Sequence, residues 1–400
     1  MSTITAEKLK QAAALVRDSA ANVWLVFDRE TSDGGDPLLP LILEGSLTWQ
    51  SALMLGEDGR RIAVVGNFDA GPLEASGDWT EVVPYIQSIR EPLLIALESL
   101  CAETRNPRIA VNFSPNDVKA DGISHGMYLL LEDYLRGTRF EGNLVSAEDI
   151  VLALRGRKTS SEVERIQAAV SATEVLFDDI GRFARVGVSE RDVYDHVHAK
   201  IVERNLGFAW DRVGDPIVNS GPESMIGHGI PSSNIKIAPG HIFHIDLGVT
   251  KDGYSSDIQR CWYVPRRDEE SIPGEVMRAL DAVNGAITAG AAALKPGVEG
   301  WEVDAAARAS IQKAGYSEYM HALGHQVGRV AHDGGGILGP KWERYGRTPY
   351  LPVEQDQVYT IELGAMVEGR GYLGIEEMVR VTDSGCEWLT DRQLVMALLG

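Results

Sequence analysis

His244-Ile245-Asp246-Leu247-Gly248 runs into Lys251-Asp252-Gly253, and the chain returns through Ser255-Ser256-Asp257. An Asp-Gly turn between two alternating stretches is a hairpin signal. With the turn midway between them, Asp246 and Asp257 are expected to face each other across two strands, Cβ atoms about 4.5–5.5 Å apart. Like charges so placed are destabilising unless something cationic lies between them. Ile245 and Leu247 would point the other way, into a core.

A second stretch repeats the pattern. Tyr359-Thr360-Ile361-Glu362 leads to a turn at Glu368-Gly369-Arg370, and the chain returns through Gly374-Ile375-Glu376. Glu362 and Glu376 are expected to oppose each other, with Ile361 and Ile375 facing inward. Four carboxylates sharing a pocket need more than one positive charge. Oxygen-rich sites suit hard or borderline divalent cations, and one imidazole makes Mn, Co, Fe or Zn suitable. The nearest imidazole supplier is His321-Ala322-Leu323-Gly324-His325. The reading is a two-metal site, in which cations about 3.5–4 Å apart hold a bridging hydroxide and polarise a carbonyl.

Further out, the chain shows a short internal repeat. Gly187-Val188-Ser189-Glu190-Arg191-Asp192-Val193 is similar to Gly297-Val298-Glu299-Gly300-Trp301-Glu302-Val303. Each follows one helical stretch and opens another, and a hairpin comes next. Two related halves closing around a shared cleft are expected. Upstream, the basic stretch Arg155 to Ser160 marks a boundary, and Ser161 with Glu164 reads as a capping box opening a long helix. The preceding residues read as mixed α/β. Strands are expected at Val23–Phe27, Ser51–Met54, Arg61–Val65 and Arg108–Val111, with helices at Pro92–Cys101 and Gly126–Leu135. No His, Cys or acids gather there at ligand-like spacing, so this part reads as a scaffold or cap.

Composition narrows the function classes. The chain has 400 residues, 44% hydrophobic and 24% charged, which is ordinary for a globular protein and excludes a disordered chain. The net charge of -20 disfavours nucleic-acid partners. Three cysteines spread along the chain are not a disulfide framework. The N-terminus lacks an apolar signal core, and the stretch Met277 to Leu294 is too polar to span a membrane. A cytoplasmic location is expected.

These motifs together resemble the pita-bread metallopeptidases, which include Xaa-Pro dipeptidase (prolidase), aminopeptidase P and methionine aminopeptidase. The set is two Asp eleven apart, a Gly-His, then two Glu, and the resemblance covers about the last 240 residues. Residues 1–155 resemble the creatinase-type N-terminal domain of the prolidase and aminopeptidase P branch. The implied fold is α+β: that mixed α/β domain, then a pseudo-twofold pita-bread catalytic domain over 156–400.

The resemblance implies the following roles. Asp246 chelates one metal, Asp257 and Glu376 bridge, and His325 and Glu362 hold the second metal. Glu362 also shuttles the proton of the nucleophilic water. His228, within Ile226-Gly227-His228-Gly229, steadies the tetrahedral oxyanion, and His332 binds substrate. The sequence departs from the family pattern at Gln326-Val327, His332-Asp333, Gln259-Arg260 and Leu363. It also carries Gly374 where many relatives have an Arg. Arg370 and Arg329 are candidates to replace that Arg at the substrate carboxylate, and His321 is a further substrate-binding candidate. His244 shares a face with Asp246 and reads as a supporting residue, whereas His196 and His198 read as surface. Cys261 reads as a buried small side chain.

The implied activity is metal-dependent hydrolysis of the bond before proline in Xaa-Pro dipeptides, with Mn ahead of Co and Zn, in a homodimer. Three alternatives stand beside it. They are an Xaa-Pro aminopeptidase on longer peptides, a creatinase-like hydrolase without metal, and a non-catalytic peptide-binding protein as in some histone chaperones.

Overall fold

The computed structural model describes residues 4–227 and 229–399. The chain folds as two compact units, Met1–Arg155 and Gly156–Gly400.

The first unit is built on six strands: β1 (Val23–Asp28), β2 (Ser51–Gly56), β3 (Arg61–Gly66), β4 (Glu81–Tyr85), β5 (Ile109–Val111) and β6 (Leu144–Ser146). Their order is β4-β3-β2-β1-β5-β6. β2 and β3 form a hairpin that turns at Asp58-Gly59, with Gly59 at φ 86°. Both faces of the sheet are buried. Trp24 and Val26 of β1 enter one apolar cluster with the helix Ile4–Asp18. Val23, Leu25 and Phe27 enter another with the helices Arg90–Leu100 and His125–Leu135. This period-2 alternation is why β1 reads as one continuous apolar run.

The second unit opens on the helix Ser160–Phe183. Its cap differs from the expectation: Thr159 and Glu162 form the capping box rather than Ser161 and Glu164. Both pairs have the spacing. Glu162 wins because it is buried and also accepts from the Tyr254 hydroxyl at 3.0 Å. The strands that follow are β7 (Gly207–Phe208), β8 (Ile217–Ser220), β9 (Ile242–Leu247), β10 (Val249–Lys251), β11 (Tyr254–Ser255), β12 (Ile258–Tyr263), β13 (Val358–Val367), β14 (Gly371–Val381), β15 (Cys386–Trp388) and β16 (Ala397–Leu398).

The internal repeat extends to individual hydrogen bonds. Gly187 N–H donates to Ile237 O at 2.8 Å, and Gly297 N–H donates to Val353 O at 2.8 Å. Both glycines have positive φ, 92° and 88°. Each precedes a capping box, Ser189 with Asp192 and Glu299 with Glu302. The two hairpins do not stand across a cleft as separate halves, however. They lie side by side in one sheet, ordered β13-β14-β12-β9-β8, with β15 beside β14 and β16 beside β12. On its apolar face, Ile361, Leu363 and Ile375 pack with the helices Gly274–Ala293 and Gly300–Lys313. The opposite face carries the acids. Among the described residues, no helix is long and apolar enough to cross a membrane.

Candidate active site

The register of the first hairpin differs from the expectation. Asp246 pairs with Gln259, not Asp257. The reason is the turn: Asp252 and Gly253 both have positive φ, 49° and 78°, and form a two-residue turn centred one position later. Moving the centre by one residue moves every partner by two, so Asp257 stays on the same face, displaced along it. In the second hairpin Glu362 pairs directly with Glu376. The hairpins join where Gln259 pairs with Glu376. Glu362, Glu376, Gln259 and Asp246 therefore form one continuous row across four strands, with Asp257 beside it.

His325 reaches this row from a segment alongside β13. Thr360 N–H donates to His325 O at 2.9 Å, and Glu362 N–H donates to Leu323 O at 2.7 Å. A Cβ at Gly324 would strike the Thr360 carbonyl, so only glycine lets the segment approach this closely. His325 Nε2 then lies 3.6 Å from Asp257 Oδ2 and 3.8 Å from Glu362 Oε1. Those gaps are too long for hydrogen bonds. They suit two ligands held on either side of one cation at about 2.0–2.2 Å each.

Three overlapping groups have ligand atoms within 4.8 Å of one another: Asp246, Asp257 and Glu376; His325, Glu362 and Glu376; and Asp257, His325 and His332. Among the described residues, Asp246 Oδ1 and Glu376 Oε1 are buried with no hydrogen-bond partner. Burial, then the field of Glu362, pushes Asp246 well above the usual carboxylate range. Burial and the neighbouring acids do the same to Asp257 and Glu376. Burial raises Glu362 to about 7, opposed by a hydrogen bond from Gln259. Burial, then His332, lowers His325 to about 3, leaving a neutral imidazole. Orphaned oxygens, acids that cannot all ionise alone and a neutral imidazole are the donor set that divalent cations satisfy.

Not all of the other expected residues meet the carboxylate row. His332 is exposed, its ring 4.2 Å from that of His325. His228 lies outside the described residues. Arg370 is not at the carboxylate row. It sits at the hairpin turn, six residues before Glu376 and about 20 Å along the strands, and is bound to Glu269 and Glu275, each at 3.0 Å. Arg329 packs over the Tyr254 ring at 5.4 Å, beside the Gly253 turn. His321 sits 2.7 Å from the Ala322 carbonyl and packs on Tyr319.

Three contributors escape a reading of motifs. Gln259 donates to Glu362 Oε2 at 2.8 Å and to Glu376 Oε2 at 3.1 Å. Its Oε1 lies 3.0 Å from His244 Nε2, and the other His244 ring nitrogen lies 3.0 Å from the Asn219 side-chain amide. Strand alternation from Asp257 was the available signal for Gln259. Asp215, fully buried, accepts from Ala209 N–H at 3.1 Å and adds to the field that raises Asp257. No sequence pattern marks it. Tyr372 lies near the same acids, which help push its phenol up.

Residues 164–383 match the profile described as metallopeptidase family M24. The chain is 30% identical over 252 residues to the Xaa-Pro dipeptidase of Pyrococcus furiosus, a stretch covering 62% of this chain and 67% of that one. In structure it resembles dipeptidase PepE from Mycobacterium ulcerans, with a TM-score of 0.73, 24% identity, and 99% and 98% of the two chains covered. An Xaa-Pro dipeptidase from Bacillus anthracis matches with a TM-score of 0.73, 22% identity, and 99% and 100% covered.

Proposed function

This chain belongs to metallopeptidase family M24, and from that premise we propose that it is a metal-dependent Xaa-Pro dipeptidase. The observation that carries the reading is the row Glu362–Glu376–Gln259–Asp246, with Asp257 and His325 at its rim. Proline selectivity is supported by the similarity to the Xaa-Pro dipeptidase of Pyrococcus furiosus.

In this reading Asp246, Asp257, His325, Glu362 and Glu376 hold two divalent cations. When bound, such a pair supplies an activated water and polarises the scissile carbonyl. Glu362 takes the proton of that water, while Gln259 holds its Oε2. It passes that proton to the leaving proline nitrogen. Gln259 fixes the orientation of both glutamates. His332, exposed beside His325, would meet the substrate there. Manganese and a homodimer belong to the same proposal and rest on the resemblance, and a cytoplasmic location rests on the three scattered cysteines.

A second reading, an aminopeptidase on longer peptides, is favoured by one observation. Arg370, expected to meet a dipeptide's carboxylate, is committed to Glu269 and Glu275. Hydrolysis of Ala-Pro and Ala-Pro-Ala after chelation and Mn readdition separates the two. Metal-dependent cleavage of the dipeptide alone is expected. Preferred cleavage of the tripeptide would move the protein to the second reading.

A further inference from the structure

Gly364 on β13 and Gly374 on β14 are directly opposed, one pair along the same face from Glu362 and Glu376. Tyr372 occupies the space their side chains would fill. A Cβ at Gly374 would lie 2.5 Å from Tyr372 Cε1, and one at Gly364 would strike the ring carbon and the hydroxyl. The ring therefore lies along the hairpin toward the carboxylates. Its edge meets the His244 imidazole at 5.1 Å and 89°. The same Cβ at Gly374 would be 2.7 Å from Gln259 Oε1 and 2.8 Å from His244 Nε2, so phenol, amide and imidazole form one wall.

Among the described residues the Tyr372 hydroxyl has no hydrogen-bond partner. Tyr372 is only partly buried, so this hydroxyl stays open to solvent and to a ligand. One cross-strand pair of spacing is two residues, about 6.8 Å along a strand. Among the described residues no hydrogen bond joins the hydroxyl to Glu362, and the spacing of the two pairs along this face is on the scale of one substrate group.

We propose that the Tyr372 hydroxyl is a substrate-contacting donor, giving its hydrogen bond to a carbonyl or carboxylate oxygen of the peptide held beside Glu362. The proposal rests on the peptidase reading above. Burial, then Glu362, Cys261, Asp246 and Glu376, keeps the phenol protonated. A neutral donor serves acid and amide oxygens alike.

The test compares wild type with Tyr372→Phe on Ala-Pro, Ala-Pro-amide and Ala-Leu, alongside melting temperature and titration of metal-free protein with Mn. The expected result is a fall of about tenfold in kcat/KM on the acid and the amide equally, with melting temperature and Mn affinity unchanged. Unchanged kcat/KM overturns the proposal. So does a parallel fall in Mn affinity, because the residue would then act through the metal ligands. Wild-type cleavage of Ala-Leu but neither proline substrate overturns the proline reading alone, and Tyr372 is then judged by the same ratio on Ala-Leu. No cleavage by the Mn-loaded wild type overturns both.

Discussion

Gln259 and Glu362 are joined by a 2.8 Å hydrogen bond from the amide to Oε2. The same amide reaches Glu376, so one neutral side chain tethers two acids that would otherwise repel. Burial raises both glutamates, and the Gln259 hydrogen bonds oppose that rise in each.

Removing that tether is expected to weaken the site without unfolding it. Gln259→Ala should lower divalent-metal affinity by about 10–100-fold, the usual cost of losing an outer-shell partner. Titration of metal-free protein with Mn checks this. An affinity equal to wild type would mean the glutamates are oriented by something else.

Glu362→Gln tests the proton shuttle. With metal bound, kcat is expected to fall by about 10²–10⁴-fold, the range for a lost general base. Stopped-assay hydrolysis of Ala-Pro on metal-analysed protein reads it. Retention of more than a third of wild-type kcat would remove Glu362 from the mechanism.

The same variant predicts a pH effect in metal-free protein. Folding raises the Glu362 pKa from 4.5 to about 7. Between those values the folded state holds a proton that the unfolded state has released, so stability falls as pH rises through that window. His325 acts in the opposite sense. Its folded value is about 3 against 6.5, so its contribution is lost as pH falls from 6.5 toward 3. Wild type and Glu362→Gln share the His325 effect. The melting-temperature advantage of the variant should therefore grow from about pH 5 to about pH 8. A constant difference across that range would contradict the assignment.

Lys158 and Asp333 form a buried ion pair at 3.0 Å, with side chains 1% and 4% exposed. Asp333 follows His332 in the chain, and its N–H donates to Gln326 O at 2.9 Å. Lys158→Met is expected to cost about 3–5 kcal/mol, because it leaves a buried carboxylate without its cation. Lys158→Met with Asp333→Leu should recover most of that loss. Urea unfolding of both variants decides, and equal destabilisation in the two would contradict the pair's role.

Arg370→Ala should leave kcat/KM on Ala-Pro within about twofold, while lowering stability by about 1–3 kcal/mol through lost bonds to Glu269, Glu275 and Tyr263. A large rise in KM would return Arg370 to the substrate.

Much of the site is legible in one dimension. The four acids and His325 stand out because strand alternation and turn chemistry put carboxylates of separate hairpins on one face. The Glu362–Glu376 register follows directly from its turn. The Asp246 register is off by two because the hairpin turns on Asp252 and Gly253, both in the left-handed region. Arg370 misleads because a turn residue looks exposed in sequence, whereas Glu269 and Glu275 bury its guanidinium.

The sequence by itself determined the chemical inventory, the two acid hairpins, the repeat around Gly187 and Gly297, and membership of a fold class. These depend on local backbone preferences and on period-2 alternation, which neighbouring residues express without help. Only the tertiary structure decided that Gln259 pairs with Glu376, 117 residues away. That single long-range pairing merges two hairpins into one row, seats Gln259 between the acids and turns the Tyr372 ring toward them. Strand pairing between distant segments is fixed by burial and packing over the whole sheet, so no local pattern announces it.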